Sequence, residues 1–223
     1  NEIVPVGAME EAARAIAPGL EEGVVISDVG SSKQSVLHAL TGALPGHTII
    51  PAHPVAGTEQ SGPDAGFATL FHHRWCIITP PEGAPKAKVS ALKKFWQGLG
   101  STVEVMDAEH HDCVLAVTSH IPHLIAYTIV GTATDLEEHI KSEVIKYSAS
   151  GFRDFTRIAA SDPVMWRDIF LTNREAVLEI LGRFTEDLTA MQRMIRRGDG
   201  DGLEEVFSRT RAVRRSIIDA KQA

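Results

Sequence analysis

His53 stands just beyond the apolar run Thr48-Ile49-Ile50 and opens the segment His53-Pro54-Val55-Ala56-Gly57-Thr58-Glu59-Gln60-Ser61-Gly62. An imidazole titrates near neutral pH, so a histidine at a strand end suits general-base work. Taken alone it reads equally as a surface loop histidine; the company of Gly57, Thr58, Glu59, Ser61 and Gly62 favours a site. A second polar segment, Asp28-Val29-Gly30-Ser31-Ser32-Lys33, follows Val24-Val25-Ile26. A third, Thr118-Ser119-His120-Ile121-Pro122-His123, interrupts an apolar stretch, where polar groups and a proline are costly. Such conflicts tend to fall at functional sites, although a kinked helix with hydrogen-bonded histidines would look the same. The fourth, Gly151-Phe152-Arg153-Asp154-Phe155-Thr156-Arg157, ends on an arginine. It suits either a carboxylate held by two parallel hydrogen bonds or a structural ion pair.

Metal readings are weaker. His110, His111 and Cys113 are crowded but match no zinc spacing. Asp199 and Asp201 begin like a calcium loop, yet Leu203 stands where an oxygen ligand is needed. No metal is expected.

These segments need elements to position them. Short apolar runs at 24–26, 48–50, 75–78 and 102–105 read as strands. Helical spacing marks 7–17, a helix capped by Ser31 or Ser32 and carrying Val36, Leu37 and Leu40, and a third over Val89–Leu99. Alternation of this kind implies crossover units and a mainly parallel sheet, which binds ligands beyond the carboxyl ends of its strands. The first two polar segments stand there. From Asp107 the strand signal stops. An apolar helix is expected over 107–130 and a polar one over 135–148. Asp162 before Pro163 caps a helix whose apolar residues, from Trp166 to Ile195, run for over thirty residues. A turn at Gly198–Gly202 and a last amphipathic helix to about Asp219 follow. The expected boundary puts an α/β part at 1–106 and an all-helical part at 107–223.

Of the 223 residues, 43% are hydrophobic and 23% charged, as in ordinary globular proteins. Lys and Arg number 22 against 29 Asp and Glu, a net charge of −7 that disfavours nucleic acid and anionic membranes as partners. No apolar run of about 18 residues is evident, so no membrane span is expected. No secretory signal is visible, and Cys76 and Cys113 make no disulfide framework. A reducing, cytoplasmic setting is the expectation.

Together, "SDVGSSK" (27–33), "HPVAGTEQSG" (53–62), "VTSHIPHLIA" (117–126) and "GFRDFTRIAASDPVMWRDIF" (151–170) resemble the prephenate/arogenate (cyclohexadienyl) dehydrogenase family of tyrosine biosynthesis. The resemblance implies a Rossmann-like dinucleotide-binding domain followed by an all-α dimerisation domain, with the active site between them. It implies NAD or NADP as cofactor, prephenate or arogenate as substrate, and a homodimer formed through residues 107–223. Carried over by position, His53 is the catalytic histidine that hydrogen-bonds the ring hydroxyl, and Ser31 orients it near the nicotinamide. Arg157 holds a substrate carboxylate. His123, His120, Thr58, Glu59, Asp154 and Trp166 complete the substrate set. Pro5, Val6, Asp28, Gly30 and Ser31 form the cofactor set. The family's G-x-G-x-x-G loop does not occur in these residues, which open at "NEIVPVGAM", inside the dinucleotide domain. The first βαβ units are therefore expected to be missing from a truncated or partly ordered product. The rival readings are another hydroxy-acid dehydrogenase of this architecture and a non-catalytic helical dimerisation fragment.

Overall fold

A computed structural model of the chain describes residues 6–57, 63–135, 143, 146–147 and 150–219. Two compact units emerge, Asn1–Val177 and Leu178–Ala223.

In the first unit, β1 (Val25–Ile26) and β2 (Thr48–Ile49) pair in parallel. The next strand, β3 (Ala52–Pro54), pairs antiparallel with β4 (Trp75–Ile78), which pairs in parallel with β5 (Thr102–Val105). The sequence reading placed His53 just beyond a strand at 48–50; it lies on a separate strand, β3, opposite Ile77. The cause is local. Ile50 still donates to Ile26 at 2.9 Å, but Pro51 has no N–H to give, and its carbonyl accepts from Thr79 at 2.9 Å. Within two residues the chain leaves the neighbourhood of β1 and joins that of β4.

Two apolar clusters hold these strands. Helices α1 (Met9–Ile16) and α2 (Gln34–Ala43) bring Ala13, Val36 and Leu40 onto Ile26 and Ile49. Helix α3 (Lys86–Gly98) sets Trp96 against Ile50, Ala52, Cys76, Ile78 and Val103. Gly100 ends it at φ +89°, and a Cβ there would lie 2.5 Å from the His72 ring, so only glycine fits. Neither Ser31 nor Ser32 caps α2 as expected. The Ser32 hydroxyl is 2.8 Å from that of Thr172, and the α2 amides find their acceptor elsewhere.

Helix α4 (Ala108–Leu115) opens on Asp107, whose side chain accepts from the His110 amide. A π turn, Ala116–His120, joins it to α5 (Ile121–Thr134). Pro122 withholds the N–H that an α-helix would aim at Thr118, and the wide turn sits just before it. This run, Ala108–Thr134, is long and apolar enough to cross a membrane, contrary to the sequence expectation. Its polar residues His111, Asp112 and His120 are buried and bonded inside the unit. The polar helix expected over 135–148 lies almost wholly outside the described residues.

Helix α6 (Ser150–Thr156) runs into a 3₁₀ turn, Arg157–Ala160. Helix α7 (Pro163–Thr172) follows the expected Asp162 cap, which accepts from Met165 at 2.8 Å. The single helix of over thirty residues is corrected to two: α7, and α8 (Arg174–Arg197). Asn173 leaves helical geometry between them, at φ −110°, ψ 33°, where its side chain bonds the Asp112 carbonyl at 2.9 Å. Most of α8 and all of α9 (Gly200–Asp219) form the second unit, where Leu178, Leu188, Ile195, Phe207 and Val213 are exposed.

Ile78 is fully buried between β3 and β5. Ile78→Ala should lower unfolding stability by roughly 2–5 kcal/mol, read from urea melts.

Candidate active site

His53 is held by a chain of hydrogen bonds. Its Nδ1 lies 2.8 Å from Nε2 of His111 on α4, and Nδ1 of His111 lies 2.8 Å from Oδ1 of Asp112. All three side chains are buried. The same carboxylate supplies what α2 lacks: Oδ1 accepts from the Lys33 amide at 2.8 Å and Oδ2 from the Gln34 amide at 2.9 Å. The other ring nitrogen of His53, Nε2, has no hydrogen-bond partner among the described residues.

Lys33 is wholly buried. Its ammonium donates to Asp28 Oδ2 and, at 2.7 Å, to the Ala52 carbonyl. Burial pushes its pKa down, against the pull of Asp28 beside it. Asp28 also accepts from Gly30 N at 2.7 Å and Ala52 N at 3.3 Å. Asp28, expected in the cofactor set, has its oxygens turned to the protein. Gly30 is tight: a Cβ would lie 3.0 Å from Asp28 and 3.1 Å from Val6. Val6, Asp28 and Gly30 are thus brought together. Ser31 is half-buried, and among the described residues the hydrogen-bond partner of the His53 ring is His111.

A second group of rings lies on α5, α7 and the π turn. His123 donates from Nδ1 to the Ser119 carbonyl at 2.8 Å and stacks on Trp166 with centroids 3.6 Å apart. His120 is buried edge-on to Trp166, its Nδ1 3.1 Å from the Asn173 amide nitrogen. Its Nε2 is buried with no partner among the described residues. Arg157 is exposed, and its charge reaches His123. Asp154 is exposed as well, and no ion pair joins it to Arg157 among the described residues. Pro5, Thr58 and Glu59 lie outside the described residues.

Sequence reading missed His111, Asp112, Lys33 and Asn173 as site-builders. His111 was weighed only as a metal ligand. The available signal was the adjacent pair His111-Asp112 at the polar start of an apolar stretch.

Burial keeps the site imidazoles neutral. It holds His53 well below the ordinary 6.5, aided by His111, Lys33 and His120. It lowers His120 to about 4 and depresses His123, where Arg157 adds to the effect. The unfolded chain therefore takes up protons at a pH where the folded one does not. Stability should be full above about pH 6.5 and fall as pH drops toward 4. His120 alone corresponds to about 3 kcal/mol at the acid extreme. Urea melts across this range check it; a flat profile would contradict the burial of these rings.

The chain matches the family model for the nucleotide-binding domain of prephenate dehydrogenase over residues 3–105 and that for its dimerization domain over 107–209. It is 44% identical over 214 residues to a cyclohexadienyl dehydrogenase of Zymomonas mobilis, covering 96% of this chain and 73% of that protein. It is 35% identical over 190 residues to a prephenate dehydrogenase of Bacillus subtilis, covering 85% of this chain and about half, 51%, of that one. A prephenate dehydrogenase of Aquifex aeolicus, solved with hydroxyphenyl propionate and NAD+, superposes with a TM-score of 0.88 at 34% identity. That match covers 96% of this chain and 74% of the other. With both halves matched in order, the chain belongs to the prephenate dehydrogenase family.

Proposed function

We propose that the chain works in the NAD(P)-dependent oxidative decarboxylation of prephenate or arogenate, with His53 as the base. The observation that carries this is a buried His53 held neutral, whose Nδ1 is bonded to His111 and whose Nε2 has no hydrogen-bond partner among the described residues. The donor set fits a nicotinamide: Val6 and Gly30 lie together, and the Ser31 hydroxyl beside them has no protein partner among the described residues. These residues would hold that end of the cofactor, which, when bound, accepts hydride from the carbinol carbon. His53 Nε2 takes the proton of the ring hydroxyl. The ring carboxylate leaves as carbon dioxide, and its bonding pair completes the aromatic ring, leaving a phenolate oxygen that takes a proton back from His53 or from water. Because aromatisation is strongly downhill, the residues mainly position the substrate and stabilise charge.

Arg157 binds a carboxylate of the substrate, and His123 and Trp166 line the approach to it. His120 offers its unpartnered Nε2 to a polar group of the substrate. We place the functional division at residue 107, supported by family matches that end at 105 and resume at 107. The compact units divide later, at 177, because α4 and α7 are bonded to α2 through Asp112 and Thr172. The exposed apolar residues of α8 and α9 support a homodimer through 107–223. Light scattering checks the dimer; a monomer mass at micromolar concentration would remove it.

Turnover is read from the reduced-nicotinamide absorbance, with prephenate or arogenate and NAD or NADP. His53→Asn should lower kcat by about 10²–10⁴-fold with little change in KM. The wild-type acidic limb should lie below pH 6.5, since burial lowers the pKa of His53. Arg157→Ala should raise the substrate KM about 10- to 150-fold, the effect of a lost charged hydrogen bond. It should leave kcat and the cofactor KM nearly unchanged, and Arg157→Lys should recover only part. An unchanged substrate KM in the alanine variant would make Arg157 a structural residue.

A further inference from the structure

The network behind His53 has a direction. Asp112 accepts only, and it already takes the two α2 amides, so the proton between it and His111 sits on His111 Nδ1. A neutral His111 then presents a lone pair at Nε2. Facing it at 2.8 Å, Nδ1 of His53 must be the donor. That leaves the lone pair of His53 on Nε2, the nitrogen open to a substrate. The reverse arrangement needs a second proton on the fully buried His111.

We propose that His111 and Asp112 are positioning residues that fix the tautomer of His53, and that Asp112, by capping α2, ties this tautomer to the seating of the Gly30–Ser32 segment. The proposal rests on the reading of His53 as the base. As His53 takes a proton on Nε2, the charge is stabilised by its Nδ1–H bond to His111, with Asp112 behind it. No proton passes along the chain. Misplacing a ring tautomer behind an intact site is costly: the same loss in a serine protease triad is about 10⁴-fold.

The decisive pair is His111→Phe and His111→Gln. Phenylalanine removes both bonds. A glutamine amide can donate to Asp112 and accept from His53, so it restores the relay without a titrating ring. In the full-length protein, His111→Phe should lower kcat about 10²-fold or more, with substrate KM nearly unchanged, and displace the acidic limb. His111→Gln should stay within about tenfold of wild type and keep the limb. Lys33 and His120, the other groups acting on His53, stay in place in both variants. Independently, ¹⁵N spectra of the wild-type imidazoles should show His53 protonated at Nδ1, its signals identified by their loss in His53→Asn. This holds even if a variant fails to fold. A neutral His53 protonated at Nε2 overturns the proposal, as does a His111→Phe enzyme with wild-type kcat and limb. If His53→Asn itself keeps wild-type turnover, the base assignment fails instead.

Discussion

Asp112 stands where two needs for one negative charge meet. The first turn of any helix presents amides without helical acceptors, ordinarily satisfied by a side chain just before it. In α2 that local side chain is missing, and the acceptor comes from 78 and 79 residues downstream. The start of α2 and the docking of α4 are thus one event. The carboxylate that closes it also holds His111, so the geometry at His53 depends on the fold being complete.

A second buried charge reinforces the arrangement. The Lys33–Asp28 pair is out of water, where desolvation offsets much of the attraction. Its partners indicate its use. Asp28 accepts from the Ala52 amide, and Lys33 donates to the Ala52 carbonyl. Both backbone groups of the residue before His53 are thereby tied to the end of β1 and the start of α2. Truncating either member would strand the other charge, at a cost of roughly 3–5 kcal/mol. The polar run after β1 thus serves to fix β3.

What was legible in the sequence was local. The apolar run of β4 announced itself, because burial on a sheet demands consecutive apolar residues, and β5 showed through its β-branched residues Thr102, Val103 and Val105. The Asp162-Pro163 start of α7 was equally plain, since cap and proline act within one turn. The misses were long-range. Asn173 breaks a periodic pattern for a bond to a carbonyl 61 residues away, which no spacing records. His53 joined a strand because Pro51 redirects the chain toward β4. The histidine cluster was visible as a set of residue types, whereas the pairing of His53 with His111 depended on the fold bringing β3 to α4.

This pairing bears on how much work the base performs. Burial, together with Lys33 and His120 nearby, keeps His53 a weak proton acceptor. A weak base captures a proton poorly in the ground state but returns it to water readily at neutral pH. In the proposed reaction that trade is acceptable, because the formation of an aromatic ring supplies the driving force. What the reaction needs from His53 is a lone pair at the right place as the hydroxyl proton leaves. A relay that fixes the tautomer meets this need without raising basicity. Its cost appears in stability at low pH, where the same buried rings resist protonation. For the proposed base, orientation rather than strength is what the bonds from Asp112 through His111 would supply.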